Sequence, residues 1–100
     1  MTFDEHVQRA LDSLPPKFAR ALDNIAVVIE DENAQEPDLY GLYESGGDYM
    51  PDKVTIYRLP LEGDFPEPAA LEEEIRITVL HELGHYFGLD EGRLGELGYE

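Results

Sequence analysis

The chain contains no cysteine. That absence removes disulfide scaffolds, thiolate metal sites and cysteine nucleophiles together, and it suits a reducing cytosol. Positive charge is the second scarcity: seven Lys and Arg stand against 23 Asp and Glu, for a net charge of −16. A surface of that sign repels phosphate backbones and anionic lipid, so ordinary nucleic-acid and membrane partners are disfavoured and cationic ligands favoured. In the plainest reading the acidity serves solubility or a salty cytoplasm. A sharper one makes the chain an acidic mimic that occupies a nucleic-acid-binding protein. The start, Met1-Thr2-Phe3-Asp4-Glu5, has no basic segment, and no long apolar stretch follows. Neither a signal peptide nor a membrane span is expected, and a cytoplasmic location is. Internal repeats and low-complexity tails are missing too. In 100 residues, 42% of them hydrophobic, the expectation is one domain over residues 1–100 with a core that needs no metal or disulfide.

Phe3, Val7, Ala10, Leu11 and Leu14 recur at helical spacing, which predicts an amphipathic helix over residues 3–13. Pro15 and Pro16 stop it, and Pro16 suits the first turn of a short second helix reaching Leu22. The β-branched run Ile25 to Ile29, ahead of Glu30-Asp31-Glu32, reads as a buried strand leaving the core. Residues 33–38 are a loop. Leu39 to Tyr43 form a short strand, with turn residues Glu44 to Asp48 behind it. Lys53 to Leu59 alternate apolar and polar, and Pro60 places the end of that strand at a sheet edge. Antiparallel pairing of these two strands is expected. Gly63 to Pro68 reads as a linker, followed by a long helix from about Ala69 to Phe87. Its apolar Val79, Leu80, Leu83 and Phe87 lie opposite His81 and His85. Gly88 ends it, and Asp90 to Leu97 form a final short helix.

The chemistry concentrates in His81-Glu82-Leu83-Gly84-His85. Two His four apart on a helix share a face, so both imidazoles reach one tetrahedral ion at about 2.0 to 2.1 Å. Glu82 points to the same cleft, where it serves as a general base for a metal-activated water. A catalytic zinc site wants a third protein ligand and an open position. Gly88 can turn the chain back in a left-handed conformation, making Glu91 the best candidate and Asp90 the runner-up, with Glu96 and Glu100 behind them. The bland alternative is that these His and Glu residues merely solvate an acidic helix. Two of the three His in the chain fall inside the motif. The third, His6, reads as an exposed helix residue. Tyr40, Tyr43, Tyr57, Tyr86 and Tyr99 read as half-buried packing residues, with Tyr86 or Tyr99 the one to hydrogen-bond an oxyanion. Thr78, one turn before His81, is either a support for the ligands or a packing residue. Asp4, Glu5 and Glu72 to Glu74 read as solvated faces.

With these residues in view, the sequence resembles the zincin-like metallopeptidases with a matrix-metalloprotease-like domain, the small bacterial mini-zincins. The resemblance covers nearly the whole chain. It runs through Val79 to Leu89, Leu42-Tyr43-Glu44 with the glycine after it, and Val54-Thr55-Ile56-Tyr57-Arg58. The family motif looks like His-Glu-x-x-His-x-x-Gly-x-x-Asp. It implies His81 and His85 as metal ligands and Glu82 as the base, with Glu91 in the third-ligand position where the family has Asp. The implied fold is α+β, a minimal zincin: a small three-stranded twisted sheet packed on a central motif helix, with additional helices around it. One zinc ion and a peptide or protein substrate are implied, the substrate lying extended along an edge strand, for which Lys53 to Leu59 is the candidate. The rival reading is a zincin-fold protein without activity, acting as a metal-poor interaction module or as the acidic mimic. Oligomeric state is not readable from these residues.

Overall fold

The computed structural model describes residues 1–99, and among them five α-helices and one three-stranded sheet form the expected α+β fold. Helix α1 spans Phe3–Asp12 and opens on a capping box: the Thr2 hydroxyl accepts from the Glu5 amide, and the Glu5 carboxylate accepts from the Thr2 amide. Helix α2 (Pro16–Ala21) starts on the proline and passes through a single 3₁₀ turn, Leu22–Asn24, into β1. The strands are β1 (Ile25–Glu30), β2 (Gly41–Glu44) and β3 (Asp52–Tyr57). Helices α3 (Arg58–Asp64), α4 (Pro68–Tyr86) and α5 (Glu91–Leu97) follow.

The spatial order is β1-β3-β2, with β1 parallel and β2 antiparallel to β3. Strand β3 is therefore central. The expectation that Pro60 marks a sheet edge is corrected: the chain leaves β3 at Tyr57 and turns into α3, and Pro60 sits in the first turn of that helix. A first-turn residue needs no amide proton, so proline serves there as well as at an edge. Gly63 and Asp64 finish α3 and Pro68 opens α4, which shortens the expected linker to Phe65-Pro66-Glu67. Strand β1 is an edge strand in which only Ile25 is buried, and nothing pairs with its outer side among the described residues.

Cross-strand pairing puts Ile29, Ile56 and Gly41 on one face of the sheet, and Val27, Val54 and Tyr43 on the same face two residues along. That face packs on α4, whose Ile75, Val79, Leu80 and Leu83 have no exposed surface. Phe3, Val7 and Ala10 of α1 close the core from the other side of α4. His6 belongs to this contact and is not an exposed residue: it is buried, and its Nδ1 lies 2.9 Å from Glu72 Oε1. Arg9 Nε donates to the same oxygen at 2.9 Å, so Glu72 is an inter-helix anchor and not a solvated acid. Among the described residues no helix is long and apolar enough to cross a membrane.

Candidate metal centre

The C-terminal end of α4 is closed by Gly88, whose φ of 78° is open to glycine at little cost. The Gly88 amide donates to His85 O at 3.0 Å and the Leu89 amide to Gly84 O at 2.9 Å, the pair of bonds that reverses a chain at a helix end. Asp90 then caps α5, its Oδ1 accepting from the Arg93 amide at 2.8 Å. Leu94 of α5 is fully buried against α4 at Gly84, where an added Cβ would lie 2.2 Å from Leu94 Cδ2. Glycine at position 84 thus lets α5 dock on the motif helix, and docking brings its first residue, Glu91, over the two histidines.

Glu91 Oε1 lies 3.1 Å from His85 Nε2 and 3.4 Å from His81 Nε2, and one donor atom from each of the three residues falls within 4.8 Å of the others. A tetrahedral ion bound at about 2.0 to 2.1 Å spaces its ligand atoms about 3.3 Å apart, so the donor set and its spacing fit zinc. The sequence therefore selected three residues that the fold does bring together. The group of three holds Glu91 and not Asp90, whose Oδ1 accepts in the α5 cap, and Glu96 pairs with Arg93 at 3.0 Å. Glu100 lies outside the described residues.

His81 Nδ1 is 2.7 Å from the main-chain oxygen of Tyr99. A carbonyl only accepts, so Nδ1 carries the proton and Nε2 keeps its lone pair for an ion. Tyr99 thus serves through its carbonyl while its ring packs edge-on against Phe18, 5.9 Å between centroids. Tyr86 packs edge-on against Tyr43 and Phe87. Thr78 is buried and faces Gly41.

Glu82 is held by a strand. Its Oε1 accepts from the Tyr43 amide of β2 at 3.0 Å, while Oε2 lies 3.9 Å from His81 Nε2. The contact depends on Gly41, where an added Cβ would meet Thr78 Cγ2 at 2.6 Å and Glu82 Cγ at 3.3 Å. Gly41 and the Tyr43 amide were not among the sequence candidates. A glycine inside a strand pattern was the available signal for a close approach of this kind. Burial pushes the Glu82 carboxyl above the usual range, opposed by His81, His85 and the Tyr43 amide. Tyr43 is anchored in turn, its hydroxyl donating to Asp52 Oδ2 at 2.5 Å and rising to about 12 because of that bond. The other oxygen of Asp52 accepts from the Gly46 amide at 3.0 Å.

Two histidines one turn apart, a carboxylate returned by a glycine turn, and a glutamate clamped to an edge strand above the helix make this a zincin-type arrangement. The family model for zincin-like metallopeptidases matches residues 22–99, and the chain belongs to that family. No curated protein matches the sequence.

Proposed function

We propose that the protein is a zinc-dependent peptidase that hydrolyses peptide bonds in a peptide or protein substrate, with Glu82 as general base. The convergence of His81 Nε2, His85 Nε2 and Glu91 Oε1 carries this reading. One zinc ion held there would supply Lewis acidity toward a scissile carbonyl and acidify a water. The chain's own residues supply the rest. Tyr99 fixes the tautomer of His81. The Tyr43 amide engages one oxygen of Glu82 and leaves the other, on the side of His81, to take a proton from a water in the cleft and deliver it to the leaving amine. A chain without cysteine is at home in the cytoplasm, where we place this activity.

The test is zinc content of the wild type beside His85→Ala and Glu91→Ala, with hydrolysis of an unstructured protein followed in the same samples. About one zinc per chain in the wild type, lost in both variants, with cleavage abolished by Glu82→Gln, is the expected result. A chain that holds far less zinc and cuts nothing is instead an interaction module. The net charge of −16 favours a basic partner in that case, bound in a way that fades with salt and ignores Glu82→Gln.

A further inference from the structure

A cavity of about 320 Å³ opens beside His81 and Glu82, between the N-terminal side of the motif on α4 and the start of β2. Its volume is at the low end of ligand cavities, with room for one long side chain. Leu39, Tyr40, Gly41, Ile77 and Thr78 form its largely apolar walls, and Asp38 and Glu74 are acidic residues of the same lining. Arg76, two residues from Glu74 in the chain, pairs with Glu73 at 3.6 Å. Glu74 is half-buried, and burial raises its carboxyl above the ordinary value, with Glu73 adding to the effect. A cation placed beside it would relieve both.

The backbone of β2 gives the cavity its orientation. The Tyr57 amide donates to Tyr40 O at 2.9 Å, so in the antiparallel alternation Leu42 and Glu44 turn their polar groups to β3, while those of Gly41 and Tyr43 face the free edge. Glu82 uses the Tyr43 amide. Gly41 also lines the cavity, so an extended chain hydrogen-bonded to its outward groups can turn a side chain inward.

We propose that this cavity is a specificity pocket for a lysine or arginine side chain of the substrate, its aliphatic stem on Leu39 and Ile77 and its cationic head between Asp38 and Glu74. Cleavage next to a basic residue, the consequence for activity, rests on the peptidase reading above; the binding of the side chain does not. One exposed and one half-buried carboxylate, each giving up to about fivefold, set an expected preference for cation over neutral isostere of about tenfold.

Two readouts separate the claims. Amide shifts of Leu39, Ile77 and Thr78 are followed in NMR titrations with Nα-acetyl-lysine amide and Nα-acetyl-norleucine amide, and a peptide pool is digested and its cut sites read by mass spectrometry. Both are run on the zinc-loaded wild type and on an Asp38→Asn, Glu74→Gln double variant, which removes the two charges with near-isosteric side chains. The lysine probe should bind about tenfold more tightly than norleucine in the wild type and equally in the double variant, with cuts clustered at Lys and Arg in the wild type alone. Equal binding of the two probes, or a preference that survives the double variant, overturns the pocket. Lysine binding with no cleavage of any peptide supports the pocket and defeats the peptidase reading. Cleavage indifferent to basic residues defeats the pocket and leaves the peptidase standing.

Discussion

As the proposed base, Glu82 has to be sheltered enough to compete for a proton and still ionised when it does so. Its side chain is 12% exposed, against 69% for Glu91, so the burial cost falls on the residue read as the base and not on the residue read as a ligand. The cost is visible in its raised proton affinity. Above that raised value the folded state carries a charge it would rather not hold; below the ordinary value of 4.5 the carboxyl is protonated in both states and the cost vanishes. Zinc-free Glu82→Gln should therefore melt at a higher temperature than the wild type at pH 7, the gap closing as pH falls below 4.5, while zinc-loaded activity drops about 10²- to 10⁴-fold. A melting temperature at pH 7 at or below that of the wild type would show that the cost of burying this charge is outweighed by the contacts that favour it. Asp52 behaves in the opposite sense. The Tyr43 hydroxyl and the Gly46 amide hold its carboxyl below the ordinary value of 3.8, so its contribution is present above that value and is lost as pH falls through the lowered one. Asp52→Asn should lower the melting temperature at pH 7 and converge with the wild type as pH falls through the lowered value, which a calorimetric series across pH reads directly.

At the scale of elements, the site is the meeting of one helix with a strand before it and a helix after it. Gly84 tests the second contact by sign. In an isolated helix Gly→Ala stabilises by about 1 kcal/mol. Against a fully buried Leu94 the added methyl has nowhere to go, and overpacking costs about 1 to 3 kcal/mol. Gly84→Ala should therefore destabilise, and it should weaken zinc binding because α5 carries Glu91. Stabilisation in thermal melts would show that α5 does not dock as described. Much of the site is legible in the sequence because its signals are local. The His-Glu-x-x-His spacing, Gly88 at the helix end and an acid three residues further on are all read within eleven positions, and the structure brings the same residues together. What is not legible depends on partners far along the chain. The alternation of Lys53 to Leu59 indicates a strand without saying whether one neighbour or two will pair with it, so β3 reads as an edge. Pro60 breaks a strand and begins a helix equally well. His6 and Glu72 are polar residues on two amphipathic helices, and nothing short of the helix crossing says that they face each other. The clamp of Tyr43 on Glu82 spans 39 positions and uses a main-chain amide that every residue except proline possesses.

For the molecule as a whole, the question is whether metal and fold depend on each other. The apolar core joins α1, α4 and the sheet through Val7, Val54, Ile56, Ile75, Val79 and Leu80, while the proposed metal donors join only α4 to α5 and the closing turn at Tyr99. A core built this way holds without the ion. Removing zinc should then lower stability without unfolding the chain at 25 °C. An ion that binds only the folded state adds about 2.7 kcal/mol when present at 100 times its dissociation constant, and at about 4 to 8 °C per kcal/mol for a domain of this size the melting temperature should rise by about 10 to 20 °C. His85→Ala should erase that rise while leaving the zinc-free melting temperature within a few degrees, about the effect of a part-exposed side chain. Amide exchange locates the change: chelation should release protection in residues 88–99 and spare α1, β3 and the first half of α4. Loss of far-ultraviolet circular dichroism at 25 °C on chelation would mean that the ion holds the core itself. The seam between motif helix and returning carboxylate would then be part of the folding unit, not a site mounted on a fold that stands without it.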